Sequence, residues 1–348
     1  MRKSYDDEQY LGFLEGCYQN PVVLIEISSV CNFQCSYCVS RLNARKKGFM
    51  SPELFERIIR QLPDLTHYPV RLHVDGEPTL HPHFLQYGEL LNSLRIPFVL
   101  ATNGSRLSPE LLKLNMEVLI SISPSQEEFR NRTTSLDYEA YLKRIVGYVR
   151  EWLESPSPQT IYIQVPNEGL VDKARKKSFQ QKLVSLLDPE KHAQKIDFPY
   201  LDTDFSYRKP NGHVLSLYNW RINHSSVYRS ESPDDGRVRE GFCSMPWQEL
   251  AILSDGRVSF CCVDLTGGTA FSEPQEIWER SLLEIWRDER INTIRRNFKN
   301  RKISLDVCSR CLADSRDNEL YSYDHPLDTM FEPKDGNLFP LDPYGNAR

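Results

Sequence analysis

The chain has 348 residues, of which 40% are hydrophobic and 26% are charged, and its formal net charge is -5. This composition is typical of a folded globular protein and excludes a disordered chain. With 43 basic and 48 acidic residues, the charge balance predicts neither a nucleic-acid partner nor a membrane surface. The apolar runs are too short to cross a bilayer and the N-terminus lacks a secretion signal, so we expect a cytoplasmic protein. In that compartment nine cysteines indicate metal ligands or reactive thiols rather than disulfides.

Short β-rich runs alternate with helical patterns from residue 21 to about residue 200. The predicted strands are 22–28, 70–74, 97–102, 117–123, 160–165 and 194–199, and the predicted helices are 51–62, 83–94, 108–114, 138–153 and 171–187. Such alternation predicts parallel strands joined by right-handed crossovers. Six units are fewer than the eight of a closed barrel. We therefore predict an α/β fold with a partial (β/α)6 TIM-like barrel, although an open doubly wound sheet would give the same pattern.

The alternation ends after residue 200, and the remaining chain has a different pattern. Two short β runs surround Asp255 and Gly256, a dipeptide typical of hairpin turns, and a helical stretch at 281–300 follows. We predict an N-terminal extension at 1–20, the barrel at 21–200, a linker with turns at 201–242, a small β-hairpin plus helix domain at 243–315 and a tail at 316–348.

Three cysteines follow the first predicted strand in a C-x3-C-x2-C spacing: Cys31, Cys35 and Cys38. A structural zinc ion would need a fourth ligand from elsewhere in the chain. A cubane iron–sulfur cluster also takes four ligands, one for each iron. Three cysteines would leave one iron open, which is useful only if another molecule binds it.

This loop resembles the cluster loop of radical S-adenosylmethionine (SAM) enzymes, including the aromatic residue Tyr37 before the last cysteine. The resemblance implies a 4Fe–4S cluster on the three thiols, with its open iron chelated by the amino and carboxylate groups of SAM. It implies reductive cleavage of SAM to a 5′-deoxyadenosyl radical, which abstracts hydrogen from a substrate. It also implies an electron donor such as flavodoxin or ferredoxin.

The resemblance continues at the ends of successive predicted strands, in the family's GGEP, TNG and SxD motifs. Asp75 stands where the first glycine of GGEP is usual, and Ser123 replaces the acid of SxD. An isolated motif of this kind is most often a turn, whereas the order of these motifs favours a SAM site. The resemblance implies these cofactor-binding residues: Tyr37, Gly76, Glu77, Pro78, Thr102, Asn103, Gly104, Ser121 and Gln164.

A second group of cysteines lies between residues 243 and 311. By chemistry alone a structural zinc ion in a four-cysteine shell is an alternative. The stretch resembles the iron–sulfur extension called SPASM in its shortened form, named twitch, which implies one auxiliary 4Fe–4S cluster. The implied ligands are Cys243, Cys261, Cys308 and Cys311. Cys262 stays an alternative to Cys261, and Cys17 is expected to be a buried structural thiol.

A cluster held by four cysteines has no open iron, so we expect the auxiliary cluster to accept an electron from the substrate radical. This favours an oxidoreductase that dehydrogenates its substrate, while epimerisation would fit if a thiol such as Cys262 or Cys17 returned a hydrogen. The cysteine layout resembles that of radical dehydrogenases of the aminocyclitol 2-deoxy-scyllo-inosamine, which implies a small polyol substrate, a sugar or an aminocyclitol.

Peptide modification is the alternative function, although the segment before the first predicted strand is too short for the peptide-binding domain that such enzymes often carry. A non-catalytic metal-binding protein is the third hypothesis. The ordered SAM motifs argue against it.

Overall fold

The computed structural model describes residues 8–38, 40, 45–167, 178–179, 181–183, 203–208, 214–221, 239–240, 243–262, 264 and 266–313. The chain forms two compact units. The first unit contains Met1–Glu26, Leu42–Val70 and Asn223–Arg348, and the second contains Ile27–Arg41 and Arg71–Ile222.

The strands, in chain order, are β1 (Val22–Ile25), β2 (Val70–Arg71), β3 (Phe98–Thr102), β4 (Glu117–Ser121), β5 (Thr160–Asn167), β6 (Thr203–Arg208), β7 (Val214–Arg221), β8 (Arg239–Glu240), β9 (Glu249–Ile252), β10 (Val258–Ser259) and β11 (Lys302–Ile303). The helices are α1 (Glu8–Gln19), α2 (Pro52–Ile59), α3 (Phe84–Ser93), α4 (Gln126–Arg130), α5 (Tyr138–Glu154), α6 (Met245–Gln248), α7 (Glu276–Glu279), α8 (Leu282–Trp286), α9 (Glu289–Lys299) and α10 (Asp306–Ala313). None of the helices among these described residues is long and apolar enough to span a membrane.

The second unit contains a parallel sheet in the order β3-β4-β5-β7, with β6 antiparallel to β7 at one edge. Its central strands are apolar on both faces, since the adjacent residues Val118 and Leu119 of β4, and Ile161 and Tyr162 of β5, are all buried. Such strands are typical of parallel sheets that are covered on both sides. The predicted α/β class is confirmed, and the parallel sheet does not close among the described strands, which is consistent with the predicted partial TIM-like barrel.

Helix α5 is the longest described helix of this unit, and the sequence pattern predicted it at 138–153. The side chain of Asp137 caps its N-terminus by accepting a hydrogen bond from the backbone N–H of Ala140. Cap residues of this type satisfy N–H groups that have no partner within the helix. One face of the helix is buried. It carries Tyr141, Ile145 and Trp152.

The first unit pairs the N-terminal strand with a strand from the C-terminal region. Strand β1 is parallel to β9, from Val22 opposite Glu249 to Ile25 opposite Ile252. Strand β10 is antiparallel to β9, so the predicted hairpin is present. Gly256 occupies its turn with a φ of +93°, a conformation that glycine adopts without strain.

Two segments differ from the sequence prediction. The predicted linker at 201–242 contains β6 and β7, because the backbone of β7 pairs with β5 despite polar residues such as Asn219 in its sequence. The predicted helix at 281–300 is divided into α8 and α9 at Asp288, whose side chain accepts from the backbone N–H of Arg290 and begins a new helix. The predicted strand at 194–199 and the predicted tail at 316–348 lie outside the described residues.

Candidate active site and auxiliary metal centre

The cysteine loop after β1 is held by the segment that follows α4. The backbone N–H of Gln34 donates to the carbonyls of Arg132 and Thr133 at 3.1 and 3.2 Å, and that of Ser36 donates to the carbonyl of Asn131 at 2.7 Å. These bonds satisfy backbone groups that an irregular loop would otherwise leave without partners. The loop therefore has a defined conformation without regular secondary structure.

The three thiols of the loop lie close enough to influence one another. Burial, with smaller contributions from negative charge on Glu77, Cys35 and Cys38, raises the pKa of the Cys31 thiol to about 12, although the backbone N–H of Phe33 opposes this shift. A thiolate in this place needs positive charge nearby, which a bound iron supplies. The loop thus favours coordinated sulfur over a free thiolate.

Several N–H groups point at the sulfur atoms. The backbone N–H of Phe33 lies 3.4 Å from Sγ of Cys31, and that of Ser40 lies 3.4 Å from Sγ of Cys38. The side-chain amide of Asn103 is 3.8 Å from Sγ of Cys31. Hydrogen bonds to cluster sulfurs tune the reduction potential of iron–sulfur clusters, so these donors suit a cluster that is reduced in use.

The cysteine spacing fits a cluster better than a single metal ion. A structural zinc ion takes four protein ligands, and the loop supplies three. In a cubane each of the three cysteines binds a different iron. The donors present therefore fit a 4Fe–4S cluster.

The turn after β2 requires glycine at position 76. Gly76 has a φ of +75°, and a Cβ atom there would lie 2.8 Å from the carbonyl oxygen of Val30 and closer still to that of Ser28. The side chain of Asp75 accepts the backbone N–H of Gly76 at 2.7 Å. Asp75, the departure from the family motif, therefore closes this turn instead of disturbing it.

Glu77 joins three of the predicted motifs through its buried carboxylate and its backbone N–H. Oε1 accepts from the hydroxyl of Thr102 at 2.7 Å and from the hydroxyl of Thr79 at 2.6 Å, while Oε2 accepts from the backbone N–H of Asn103 at 2.6 Å. The backbone N–H of Glu77 donates to the carbonyl of Val30 in the cysteine loop at 2.8 Å. Burial raises the pKa of Glu77, and the hydrogen bonds oppose this shift.

The remaining residues of the two loops have structural contacts of their own. Gly104 has a φ of +78°, and its N–H donates to the Thr102 hydroxyl at 3.0 Å. Pro78 is buried and begins a short 3-10 turn. Tyr37 lies in the turn directly before Cys38. The Thr102 side chain is thus engaged within the protein, so it holds the loop.

At the end of β4, where Ser123 replaces the acid of the SxD motif, the buried guanidinium of Arg132 bonds to two serine hydroxyls. Nε of Arg132 donates to the hydroxyl of Ser123 at 2.6 Å, and Nη2 donates to the hydroxyl of Ser121 at 3.0 Å. Gln164 lies opposite Ser121 in β5, and its carbonyl accepts from the backbone N–H of Ile122 at 2.9 Å. Arg132 is 1% exposed.

Sequence reasoning missed Arg132 and Asn32 as members of this site. The side-chain oxygen of Asn32 accepts from the Asn103 amide at 3.0 Å, and its own amide donates to the Ser105 hydroxyl at 3.0 Å. The only feature of the sequence that could have indicated a role for Asn32 is its position next to Cys31. Arg132 is distant in sequence from the serines it contacts, so no local pattern marks it.

The auxiliary cysteines of the first unit are also brought together. Burial raises the pKa of Cys261, and the charges of Cys262, Glu249, Cys243 and Cys308 add to this effect. Cys261 therefore shares its surroundings with two other predicted ligands, one from before α6 and one from α10.

Helix α10 contributes two of the predicted ligands. Cys308 and Cys311 are three residues apart, which places them on one face of the helix. Burial raises the pKa of Cys308, with further contributions from Cys243, Cys311 and Asp264. Cys243 and Cys308 also pack against an apolar cluster that includes Trp247.

Cys262 and Cys17 have different surroundings. The backbone N–H of Cys262 donates to the buried Glu249 carboxylate at 3.1 Å. Cys17 is half-buried in α1, where its carbonyl accepts from the backbone N–H of Asn20. Cys261 and the adjacent Cys262 thus lie near the other auxiliary thiols, and Cys262 stays an alternative ligand.

Comparison with known proteins agrees with this arrangement. Residues 25–155 match the family model of the radical SAM superfamily, and residues 243–312 match SPASM, an iron–sulfur cluster-binding domain. The chain therefore contains a radical SAM domain. A C-terminal SPASM domain follows it. The cofactors of the chain are SAM, the 4Fe–4S cluster of the first domain and an auxiliary iron–sulfur cluster in the second.

Individual relatives resemble only part of the chain in sequence. The GTP 3′,8-cyclase of Actinobacillus pleuropneumoniae serotype 3 (strain JL03) is 32% identical over 93 residues, which are 25% of this chain and 27% of the cyclase. The chain thus spans about a quarter of the length of the curated relatives it matches.

Solved structures resemble it over more of its length. SuiB from Streptococcus suis has a TM-score of 0.54 at 14% identity, covering 83% of this chain and 71% of SuiB. The structure of anSMEcpe with bound AdoMet has a TM-score of 0.50 at 16% identity, covering 89% and 98% of the two chains. At these identities the likeness shows the shared fold.

Proposed function

We propose that the protein cleaves SAM reductively and uses the resulting 5′-deoxyadenosyl radical to abstract hydrogen from a small polyol, a sugar or an aminocyclitol. The observation that carries this proposal is the buried residue Glu77, whose carboxylate accepts from the backbone N–H of Asn103 and whose own backbone N–H donates to the carbonyl of Val30 at the start of the cysteine loop. The segments that contain these three residues are the ones that the family motifs predict as the SAM site. A site assembled from them supports SAM chemistry over a structural metal site.

The chain's own residues have separable roles in this proposal. Cys31, Cys35 and Cys38 hold the cluster, and Gly76 allows the turn after β2 to pack directly against the backbone that leads into the cysteine loop. The N–H donors around the sulfurs stabilise the extra negative charge of a reduced cluster. A flavodoxin or ferredoxin would supply the electron.

We propose dehydrogenation as the net reaction. In the oxidation of an alcohol, the substrate carbon loses a hydrogen atom to the deoxyadenosyl radical, the hydroxyl loses a proton to a base, and one electron must leave the substrate. An auxiliary cluster held by Cys243, Cys261, Cys308 and Cys311 would have no open iron, which suits it to accept that electron. The grouping of Cys261 with Cys243 and Cys308 supports this ligand set.

Anaerobic reconstitution tests the cofactor part of the proposal. Two cubanes predict about eight irons per chain, and dithionite with SAM should then release 5′-deoxyadenosine. The Cys35→Ala variant is the control, because it removes one predicted ligand of the SAM cluster and leaves the auxiliary cysteines intact. Release no greater than that of Cys35→Ala would contradict the proposal.

Deuterated substrates test the substrate class and the outcome. Sugars and aminocyclitols that carry deuterium on the carbinol carbon are compared with peptides that carry it on Cα, and deuterium is measured in 5′-deoxyadenosine. Transfer from a polyol with formation of a ketone supports dehydrogenation. Transfer from peptides alone would favour the peptide-modifying alternative, and a product that gains deuterium from D2O would indicate epimerisation.

A further inference from the structure

Helix α5 carries side chains that hold the two strand ends beside the candidate SAM site. Tyr138, Tyr141 and Arg144 are spaced by three residues and lie along one face of the helix. The Tyr138 hydroxyl donates to the carbonyl of Ser123 at 3.3 Å, and Nη1 of Arg144 donates to the carbonyl of Ser105 at 2.7 Å. A single helix face therefore contacts the backbone of the turn after β3 and of the segment after β4.

Tyr141 connects both strand ends with one hydroxyl. Its oxygen lies 2.8 Å from the carbonyl oxygen of Asn103 and 2.9 Å from that of Ser121. The side chain is 1% exposed, so water does not compete for these acceptors. The hydroxyl has one hydrogen, so the two carbonyls share it. Both carbonyl oxygens are held next to the same hydroxyl oxygen, which limits the distance between them.

The ring of Tyr141 also contacts the cysteine loop. Its centroid lies 6.0 Å from that of Phe33, which stands between Cys31 and Cys35, and 4.7 Å from that of Phe129 in a stacked arrangement. Aromatic rings at such distances attract one another in tilted and offset-stacked arrangements. Tyr141 thus contacts the cysteine loop, the turn after β3 and the end of β4 simultaneously.

We propose that Tyr141 is a positioning residue of the SAM site. Its hydroxyl sets the spacing between the turn that contains Asn103 and the strand end that contains Ser121, and its ring supports the loop that carries the cluster. This inference rests on the proposed function and names a residue that acts through the cofactor-binding loops without contacting the reacting atoms.

The hydroxyl can be removed with little change in volume. In Tyr141→Phe the ring contacts remain while the shared hydrogen bond is lost. A buried hydrogen bond contributes about 1 kcal/mol net, and more where an acceptor is left without a partner. Because 1.4 kcal/mol corresponds to a tenfold change in affinity, we expect SAM binding to weaken about five- to tenfold.

The experiment measures the reduced, reconstituted protein by EPR while SAM is added, and reports the SAM concentration that gives half of the spectral change. Iron content and the thermal unfolding midpoint are measured on the same samples. Tyr148→Phe is the matched control. Tyr148 is on the same helix and buried, but its hydroxyl donates to the side chain of Gln159 at 2.6 Å, away from both strand ends.

The expected result is a five- to tenfold higher half-saturating SAM concentration for Tyr141→Phe at unchanged iron content, and no change in this value for Tyr148→Phe. An unchanged value for Tyr141→Phe, or an equal increase for Tyr148→Phe, would overturn the inference. Tyr138→Phe is measured in parallel in case Tyr141→Phe does not fold. It must weaken SAM binding more than Tyr148→Phe does, and equality overturns the inference as well.

The wild-type protein distinguishes failure of this inference from failure of the proposed function. If it shows neither a SAM-dependent EPR change nor release of 5′-deoxyadenosine, the proposed function fails. If it shows both and Tyr141→Phe behaves like the wild type, only the role of Tyr141 is contradicted.

Discussion

The hydroxyl of Thr102 donates to the Glu77 carboxylate at 2.7 Å, so the end of β3 and the turn after β2 are joined inside the protein. The same carboxylate accepts the backbone N–H of Asn103 at 2.6 Å. Because backbone and side-chain donors converge on one buried group, the two loops cannot move independently.

Replacing Glu77 with glutamine should separate these loops. An amide keeps one acceptor oxygen and places an NH2 group against an existing donor, either at Thr102 or at Asn103. An unsatisfied buried group costs about 1–3 kcal/mol, so Glu77→Gln should lower the unfolding midpoint and weaken SAM binding. Glu56→Gln is the control, because Glu56 pairs with Arg60 on the exposed surface and such pairs contribute about 0–1 kcal/mol. Equal effects of the two variants would contradict this role of Glu77.

Adding one methyl group at Gly76 should be far more harmful than adding it at Gly147. At Gly76 the positive φ and the nearby carbonyls of Ser28 and Val30 leave no place for a Cβ. A strained backbone conformation of this kind costs about 1–3 kcal/mol, and the close contacts add to that cost. Gly147 lies within α5, where an added Cβ would meet no atom within 4 Å outside the backbone of the helix itself, and Gly147→Ala should stabilise the helix by about 0.5–1 kcal/mol. Thermal unfolding and iron content after reconstitution measure both effects.

Serine substitutions should distinguish the two adjacent auxiliary cysteines. If Cys261 is the ligand, Cys261→Ser should reduce the iron content from about eight to about four per chain. Under the same assignment, Cys262→Ser should retain both clusters. Iron and sulfide analysis with EPR of the reduced protein provides the measurement. The opposite pattern would assign the ligand to Cys262.

A buried ion pair in the first unit gives a prediction that is independent of the cofactors. Arg45 donates to Glu26 at 2.6 and 3.1 Å, and the backbone N–H and hydroxyl of Ser254 donate to the same carboxylate at 2.9 and 2.8 Å. Removing one partner of a buried pair costs about 3–5 kcal/mol, whereas replacing both with apolar groups costs much less.

Glu26→Gln should therefore be less stable than the double variant Glu26→Leu/Arg45→Met. Urea unfolding of the purified variants measures the difference. If the double variant were the less stable of the two, the carboxylate would act mainly through Ser254 and not through Arg45.

The fold was predictable where strands are buried on both faces. Val118 and Ile120 of β4, and Ile161 and Ile163 of β5, lie in uninterrupted apolar runs that are visible in the sequence. Strand β7 was not predicted, because Asn219 and Arg221 interrupt its apolar pattern and its pairing with β5 determines its structure. The partner strand that decides such a case is distant in sequence.

Some residues of the candidate site could be predicted from the sequence and others could not. The cysteines and the Gly76 turn follow from local spacing and from backbone requirements that act within a few residues. Arg132 and Tyr141 contact the site only through the tertiary fold, across 11 and 20 residues from Ser121. Their side chains could not be assigned from one sequence, since an arginine or a buried tyrosine on a helix has many ordinary roles.

The pairing of β1 with β9 has a consequence for attempts to divide the protein. The 4 residues of β1 pair in parallel with a strand that belongs to the SPASM-matching region. A fragment that stops before residue 243 would leave this side of β1 as an exposed apolar edge, and such edges promote aggregation. The domain that binds SAM should therefore be difficult to obtain alone, and complementation by a separately expressed C-terminal fragment is the more promising route to segmental labelling.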